Sequence, residues 1–501
     1  MFRQSHQNMP TTKKSKSHRA LTSFFHFRPK DWDIHLSEDP YFSSLLEKEK
    51  RGLASFMWAM YANAIPHKSH RVDLTPIHWE AKKSIFGSAA RFDEINGMLG
   101  WFEKELEGVK GKWASGWKLT DYGYKVASGF FLEFLSKLAT KYDDLVTGLI
   151  DAAGSPYRTP SDAFRSTTAT GAKCRFPRNI MSSLVEVSSQ NLLDLIGASE
   201  RWLNGDPFPE HLGWLKYHWD EYKRCYGDQK SYSRVLLADR QAHLMLSLAN
   251  SSRNKDALVP TIYSESKAGR LYAMGHVNLQ RCVGEVRRMA LQGCYDVDIE
   301  NCHWSLLSQM AMRIGIDTPN IYYYLNNKKL VRSEVARCAG ITIDDAKFVL
   351  ISLIYGAVLR CRGSRESFDD KKNAIEAKLG RDVVETLAGH PVLRGLIEDL
   401  KVSKGAVVEY YRSQTKKKGG VIVNDAGREI DGSITNRKIL SHILQGAESE
   451  AMKVMIEELM GNIVLLQHDG VTVKVKPDLG GLERKIHDRT GFSLSLEAEL
   501  L

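Results

Sequence analysis

The chain is 501 residues long, 43% hydrophobic and 26% charged, with a formal net charge of +10. That length suggests two to four domains with room for real cores, and the composition is ordinary for a soluble globular protein. No apolar run approaches the ~20 residues of a membrane span and no signal-peptide pattern opens the chain; seven scattered cysteines without a C-x-x-C point to reduced thiols and no zinc site.

Residues 1–30 hold Arg3, Lys13, Lys14, Lys16, Arg19, Arg28 and Lys30 and no acidic residue, seven of the ten net positive charges. Such a head reads as a disordered arm on nucleic-acid phosphates, an organelle-targeting peptide, or a solvated tail. From about 40 to 150 the apolar spacing is helical, over Tyr41 to Ala64, Phe92 to Leu106 and Tyr122 to Ile150. The breaker-rich run beginning Gly154-Ser-Pro-Tyr and continuing through Ser166-Thr-Thr is the best linker candidate. Residues 180–255 return to helical periodicity.

From about 290 short strands mix with helices. Cys294 to Glu300 alternates, with Asp296, Asp298 and Glu300 on one face and Tyr295, Val297 and Ile299 on the other. Helices are expected over Ser305 to Ile314, Thr342 to Tyr355 and Ile439 to Leu459. A hairpin is expected from Gly420 to Ile430 around Asn424-Asp-Ala-Gly, and a second from Ile463 to Lys476 around His468-Asp-Gly. Elements in this order predict an α+β fold.

Asp298 and Asp469 each cap a strand-like run, and a helix carrying Lys347, Tyr355 and Gly356 lies between them. Either aspartate alone is equally a surface-turn residue. Two carboxylates on neighbouring strands would hold two metal ions about 3.5–4 Å apart, the arrangement that activates an attacking oxygen and stabilises a leaving one. Lys347, Ile351 and Tyr355 fall at i, i+4 and i+8, so a lysine for a triphosphate would share one stripe with an apolar and aromatic wall for a base.

Gly269-Arg-Leu, Asn278-Leu-Gln, the strand aspartate, Lys347-x7-Tyr-Gly, Arg437-x7-Gln-Gly and His468-Asp together resemble the polymerase module of family A DNA polymerases. That family is itself related to the phage-type single-subunit RNA polymerases. The intervals are similar as well, 49 residues from Asp298 to Lys347 and 98 from Lys347 to Gln445. The resemblance covers roughly 265–480.

It implies a right-hand polymerase fold of palm, fingers and thumb with a mainly helical N-terminal domain. The expected divisions are a basic arm over 1–30, a helical domain of unknown role over 31–175, a thumb-like region over 176–260, and a palm over 261–501 with fingers inserted at about 310–415. Asp298 and Asp469, with the Ile299 carbonyl, would hold two Mg²⁺ ions, with Mn²⁺ the alternative. Lys347 would contact the incoming nucleoside triphosphate and protonate the leaving pyrophosphate. His303, Ile351, Tyr355 and Gly356 would complete the nucleotide site. Arg270, Asn278, Gln280, Arg437, Gln445 and His468 would contact primer and template, DNA being the favoured nucleic acid.

Some positions depart from the family pattern. Ile343 stands where an arginine is usual, which leaves Arg332 or Arg337 to meet the outer phosphates. Ile351 is closer to the aliphatic residue of the RNA polymerases. Gly470 replaces a glutamate, and His303 replaces the glutamate that gates against a ribose 2′-hydroxyl. No strand-borne Asp-x-Glu is evident before residue 260, so no 3′–5′ proofreading is expected. The resulting expectation is a Mg²⁺-dependent DNA polymerase, with an RNA polymerase or primase-like enzyme as the alternative and a degenerate nucleic-acid-binding palm as the second. A cytoplasmic setting is expected, or an organelle if the basic head is a transit peptide; no membrane contact is expected and no protein partner is indicated.

Overall fold

The computed structural model describes residues 40–61, 75–77, 79–106, 115–127, 175–250, 257–273, 278–359, 374–414 and 420–501. The basic head and the linker candidate at 154–171 lie outside the described residues, as does 128–150 of the helix expected from Tyr122. The described residues divide into two compact units. The first draws on residues up to 127, 181–262 and 273–292; the second draws on 175–180, 263–272 and 293–501.

In the first unit, helix α1 (Glu47–Tyr61) is followed by strand β1 (Thr75–Ile77) and helix α2 (Ala89–Leu99). The run from Phe92 to Leu106 is not one helix. Ser88 accepts a hydrogen bond from the Arg91 amide to open α2, and Gly100, at φ 65°, closes it. The chain then turns into β2 (Phe102–Leu106), which pairs with β3 (Ser115–Leu119) in an antiparallel sheet of order β1-β3-β2. The apolar residues that mimicked helical spacing meet here instead, with Phe92 edge-on to Trp117 at 5.5 Å.

Further along lie β4 (Ser182–Glu186), α3 (Ser189–Asn204), α4 (Gly213–Tyr226), α5 (Asp228–Asn250) and α6 (Gly284–Ala290). The helical reading of 180–255 therefore holds after an initial strand as far as Asn250; 251–255 lie outside the described residues. Buried Glu285 ties α6 to α5 through Arg234 at 2.7 Å and to α4 through His218 at 3.3 Å. The chain passes between the units along β5 (Leu258–Glu265) and β6 (Leu271–Ala273).

The second unit is built on β7 (Tyr295–Ile299), inside an antiparallel sheet of order β10-β11-β7-β12. Its partners are β10 (Ile463–Leu466), β11 (Gly470–Val473) and β12 (Leu496–Leu500), the last not anticipated from its pattern. Val297, Ile299, Val471 and Val473 are buried, while Asp296, Asp298 and Glu300 keep partial access to solvent. After the sheet strand come α7 (Cys302–Arg313), α8 (Pro319–Asn326), α9 (Lys328–Ala339), α10 (Ile343–Ile354) and α11 (Pro391–Ser413). The hairpin β8 (Val421–Val423) and β9 (Glu429–Asp431) then leads to α12 (Asn436–Glu458), and α13 (Leu479–Thr490) precedes β12.

Local chemistry sets several of these boundaries. Thr342 caps α10 by accepting from the Asp345 amide, and Gly427, at φ 66°, turns the β8–β9 hairpin in the expected Asn-Asp-Ala-Gly loop. Helix α12 is buried along most of its length, between Ile439 and Ile456, in the core of its unit. Cys225, Cys282, Cys294, Cys302 and Cys338 are free thiols. Among the described residues no helix is long and apolar enough to cross a membrane.

Candidate active site

Strand β7 presents Asp296, Asp298 and Glu300 on one face, and their neighbours separate them into different roles. Asp296 accepts from Thr472 Oγ1 at 2.6 Å and from Gln467 Nε2 at 2.5 Å. Glu300 accepts from Lys328 Nζ at 2.5 Å, and the same ammonium reaches Glu497 at 2.9 Å. Asp298 has no such partner among the described residues. It faces Gly470 of β11 on one side and Glu497 of β12 on the other.

Because Gly470 is Asp298's partner, Asp469 stands beside the end of β7, and the Ile299 amide donates to the Asp469 carbonyl at 3.1 Å. A strand residue points its N–H and C=O to the same edge, so the Ile299 carbonyl also faces the Asp469 turn. The two carboxylates repel each other. Burial, then the charges of Asp469, Asp296 and Glu497, push Asp298 up to about 7, with Lys347 pulling the other way. Asp469 reaches solvent, yet protein around its turn and the charge of Glu448 raise it above the usual carboxylate range.

Among the described residues no cluster of three or more His, Cys, Asp or Glu is placed to hold a metal. A divalent ion here would rest on Asp298, Asp469 and the Ile299 carbonyl, with water and a substrate phosphate completing its shell. That sparse, all-oxygen donor set fits Mg²⁺, and a cation would favour the charged forms of two carboxyl groups that burial and neighbouring carboxylates raise.

Helix α10 turns Ala346, Val349, Leu350, Leu353 and Ile354 into the core and leaves Lys347 and Ile351 on its open face, Ile351 43% exposed. A core helix with a snorkelling lysine would bury Ile351, so the stripe is an outward-facing surface. Tyr355 caps the helix, and Gly356 follows at φ 89°. A Cβ at 356 would also press on Arg437 Cδ, 3.2 Å away, so the tyrosine-glycine pair and Arg437 of α12 meet at one point.

Four side chains from separate stretches converge beside this helix end. Glu448, only 1% exposed, takes a fork of hydrogen bonds from Arg270 and lies 2.9 Å from His303 Nε2. The other ring nitrogen, Nδ1, is bonded to the Tyr355 hydroxyl. A carboxylate beside Nε2 favours the tautomer with its proton there, so Nδ1 accepts from Tyr355. Burial alone would raise Glu448, but hydrogen bonds and charge from His303 and Arg270 hold it below the usual range. Burial pushes the Tyr355 phenol up to about 12.

Sequence reasoning singles out neither Glu448 nor Arg175. The latter bonds Glu265 at 2.6 Å, Glu450, Ser449 and the Gly269 carbonyl, fixing the loop that delivers Arg270. The only sequence hint for Glu448 is a charge set between the small residues Ala447 and Ser449.

The remaining expected residues are distributed unevenly. Gln445 donates to Ser441 Oγ at 3.0 Å, and a Cβ at Gly446 would overlap the Asn424 side chain. His468 packs on Tyr272 with ring centroids 4.7 Å apart. Arg332 donates to Asn301 Oδ1 at 2.7 Å and so holds the turn after β7, whereas Arg337 is exposed on α9. Asn278 and Gln280 belong to the first unit, where Asn278 caps the Arg281 amide and Gln280 accepts from the Ala273 amide.

No protein-family model matches the sequence, and no curated protein matches it. Among solved structures, it is similar to the POL domain of Pol1 from M. smegmatis in complex with DNA primer-template and dNTP. Identity is 14%, over 75% of this chain and 73% of that one, with a TM-score of 0.38. Likeness of that degree carries no argument about the chemistry.

Proposed function

We propose that the second unit is a template-directed nucleotidyltransferase of the family A DNA polymerase type, with β7, β10, β11 and β12 as its palm, α8 to α11 as its fingers, and no proofreading exonuclease. The observation that carries the reading is that Asp298 and the Asp469 turn meet at the same end of the adjacent strands β7 and β11, both carboxyl groups raised and both lacking an ion-pair partner among the described residues. A protein that only binds nucleic acid gains nothing from two adjacent carboxylates kept unpaired.

In this reading a bound pair of Mg²⁺ ions supplies Lewis-acid activation of the attacking hydroxyl and stabilises the departing pyrophosphate. Asp298, Asp469 and the Ile299 carbonyl would hold the pair. Lys347, on the open face of α10, neutralises the triphosphate and delivers a proton to the leaving group. Ile351 and Tyr355 offer the base an apolar wall, Arg437, Gln445 and Arg270 line the primer-template, and His468 lies at the primer end.

The sugar is decided by His303. Both of its ring nitrogens are already committed, to Glu448 and to Tyr355. Its contribution beside the nucleotide is therefore bulk rather than a hydrogen bond to a ribose hydroxyl, which favours deoxynucleotides over the ribonucleotide alternative.

Extension of a primed DNA template with Mg²⁺, offering dNTPs and NTPs in parallel, tests the proposal. Extension with dNTPs that disappears in Asp298→Ala and Asp469→Ala is the expected result. Absence of Mg²⁺-dependent extension on DNA and RNA templates alike would overturn it.

A further inference from the structure

The last turn of α10 ends on carbonyls that a side chain from another helix covers. Lys404, midway along α11, places Nζ 2.9 Å from the Leu353 carbonyl oxygen and 3.5 Å from that of Ile354. It has no carboxylate partner among the described residues, and burial lowers its amine to about 8. A half-buried ammonium ordinarily draws an anion to it. Here the counter-charge is the negative end of the helix itself, whose last carbonyls carry the concentrated dipole.

The residues just past that turn connect it to the site. The Gly356 amide donates back to the Leu353 carbonyl at 3.0 Å, and the Ala357 amide to the Ser352 carbonyl at 2.9 Å. Lysine and closing turn therefore share the Leu353 oxygen. Between them sits Tyr355, which leaves the helix toward His303, and next comes Gly356 beneath Arg437.

We propose that Lys404 is a positioning residue for the nucleotide face of α10: its ammonium neutralises the helix end and fixes the direction in which Tyr355 departs. The inference rests on the reading of that face as the nucleotide site. Lys404 touches no reacting group. With its charge removed, the last turn loosens and Tyr355 loses its place, while Lys347 two turns earlier and the Asp298–Asp469 pair stay where they are. The effect falls on nucleotide binding more than on chemistry.

Full-length Lys404→Met and Lys404→Arg separate the possibilities. In Lys404→Met, with no nucleotide present, hydrogen exchange at the Gly356 and Ala357 amides accelerates roughly tenfold, while Val349 and Leu350 in mid-helix are unchanged. Lys404→Arg restores slow exchange. In primer extension, Lys404→Met raises the nucleotide KM severalfold with kcat within about twofold of the parent.

Unchanged exchange at Gly356 and Ala357 overturns the proposal. So does faster exchange without a change in KM, or acceleration throughout the unit that arginine fails to rescue, since each reduces Lys404 to a role without consequence for the site or to a purely structural one. A parent protein that extends no primer defeats the polymerase reading instead, and the exchange comparison still decides whether Lys404 fixes the helix end.

Discussion

Gly470 lies directly across the sheet from Asp298, and the pair leaves no space for a side chain at 470. A Cβ there would overlap Asp298 Oδ1 and come within 2.6 Å of the Val297 carbonyl oxygen. A glutamate at this place is thus excluded by the closeness of the Asp298 side chain and the Val297 carbonyl. Gly470→Ala should cost about 1–3 kcal/mol of stability, read from urea unfolding, and remove Mg²⁺-dependent extension by displacing the Asp298 carboxylate.

Stability without metal should fall as pH rises. Asp298 moves from an ordinary 3.8 up to about 7 in the folded chain, so between those values the folded state holds a proton that the unfolded state has released. The stabilising contribution is complete below the lower value and lost as pH climbs through the upper one. Asp298→Asn, unfolded in EDTA, should be more stable than the parent at pH 8 by a few kcal/mol at most, with the difference vanishing near pH 4. Added Mg²⁺ should stabilise the parent at pH 8 and leave the variant unmoved.

Glu448→Ala should be severely destabilising. It leaves Arg270 and His303, 3.1 Å apart between Nη2 and Nε2, without their shared carboxylate. Loss of one partner from a buried ionic group costs about 3–5 kcal/mol. Glu448→Gln, nearly the same shape, should retain more stability in thermal melts while still losing discrimination between dNTPs and NTPs through a misoriented His303.

Discrimination between sugars should depend on His303. Replacing it with Ala opens space next to Tyr355, and the ratio of dNTP to NTP kcat/KM should fall by roughly 10–100-fold. A ratio that stays constant would remove His303 from sugar selection.

Asp469→Ala should lower extension by roughly 10³-fold or more while gel-shift binding of primer-template stays within a few-fold of the parent, because the carboxylate acts on the reacting phosphate rather than on the duplex.

Local signals carry much of the second unit. The helix beginning near Thr342, the alternation through Tyr295–Ile299 and the Asn424 to Gly427 turn are all legible, since each depends on neighbours within a few positions. Phe92 to Leu106 misleads because Gly100 interrupts an apolar run that otherwise keeps helical spacing. Strand β12 is hidden because Leu496–Leu500 is short and carries glutamate at two of its five positions, and it becomes a strand only by pairing with β7. At the site, Asp298, Lys347 and Asp469 are readable as residue types in order, whereas Glu448 and Arg175 are not. A buried charge is defined by its partners, and theirs lie up to 275 positions away. The alternation puts Asp296, Asp298 and Glu300 on one face without ranking them; only Thr472, Gln467 and Lys328 reveal which carboxylate is left over.

The pairing of β7 with β11 and β12 has a kinetic side. Both partners arrive in the chain after all the helices from Cys302 to Glu458, so closing this sheet requires a long loop to be organised first. The intervening helices, rich in local contacts, would fold early, and the two aspartates would be brought together only in a late step of assembly. A refolding chain should thus regain far-ultraviolet helical signal well before it regains any affinity for divalent ions.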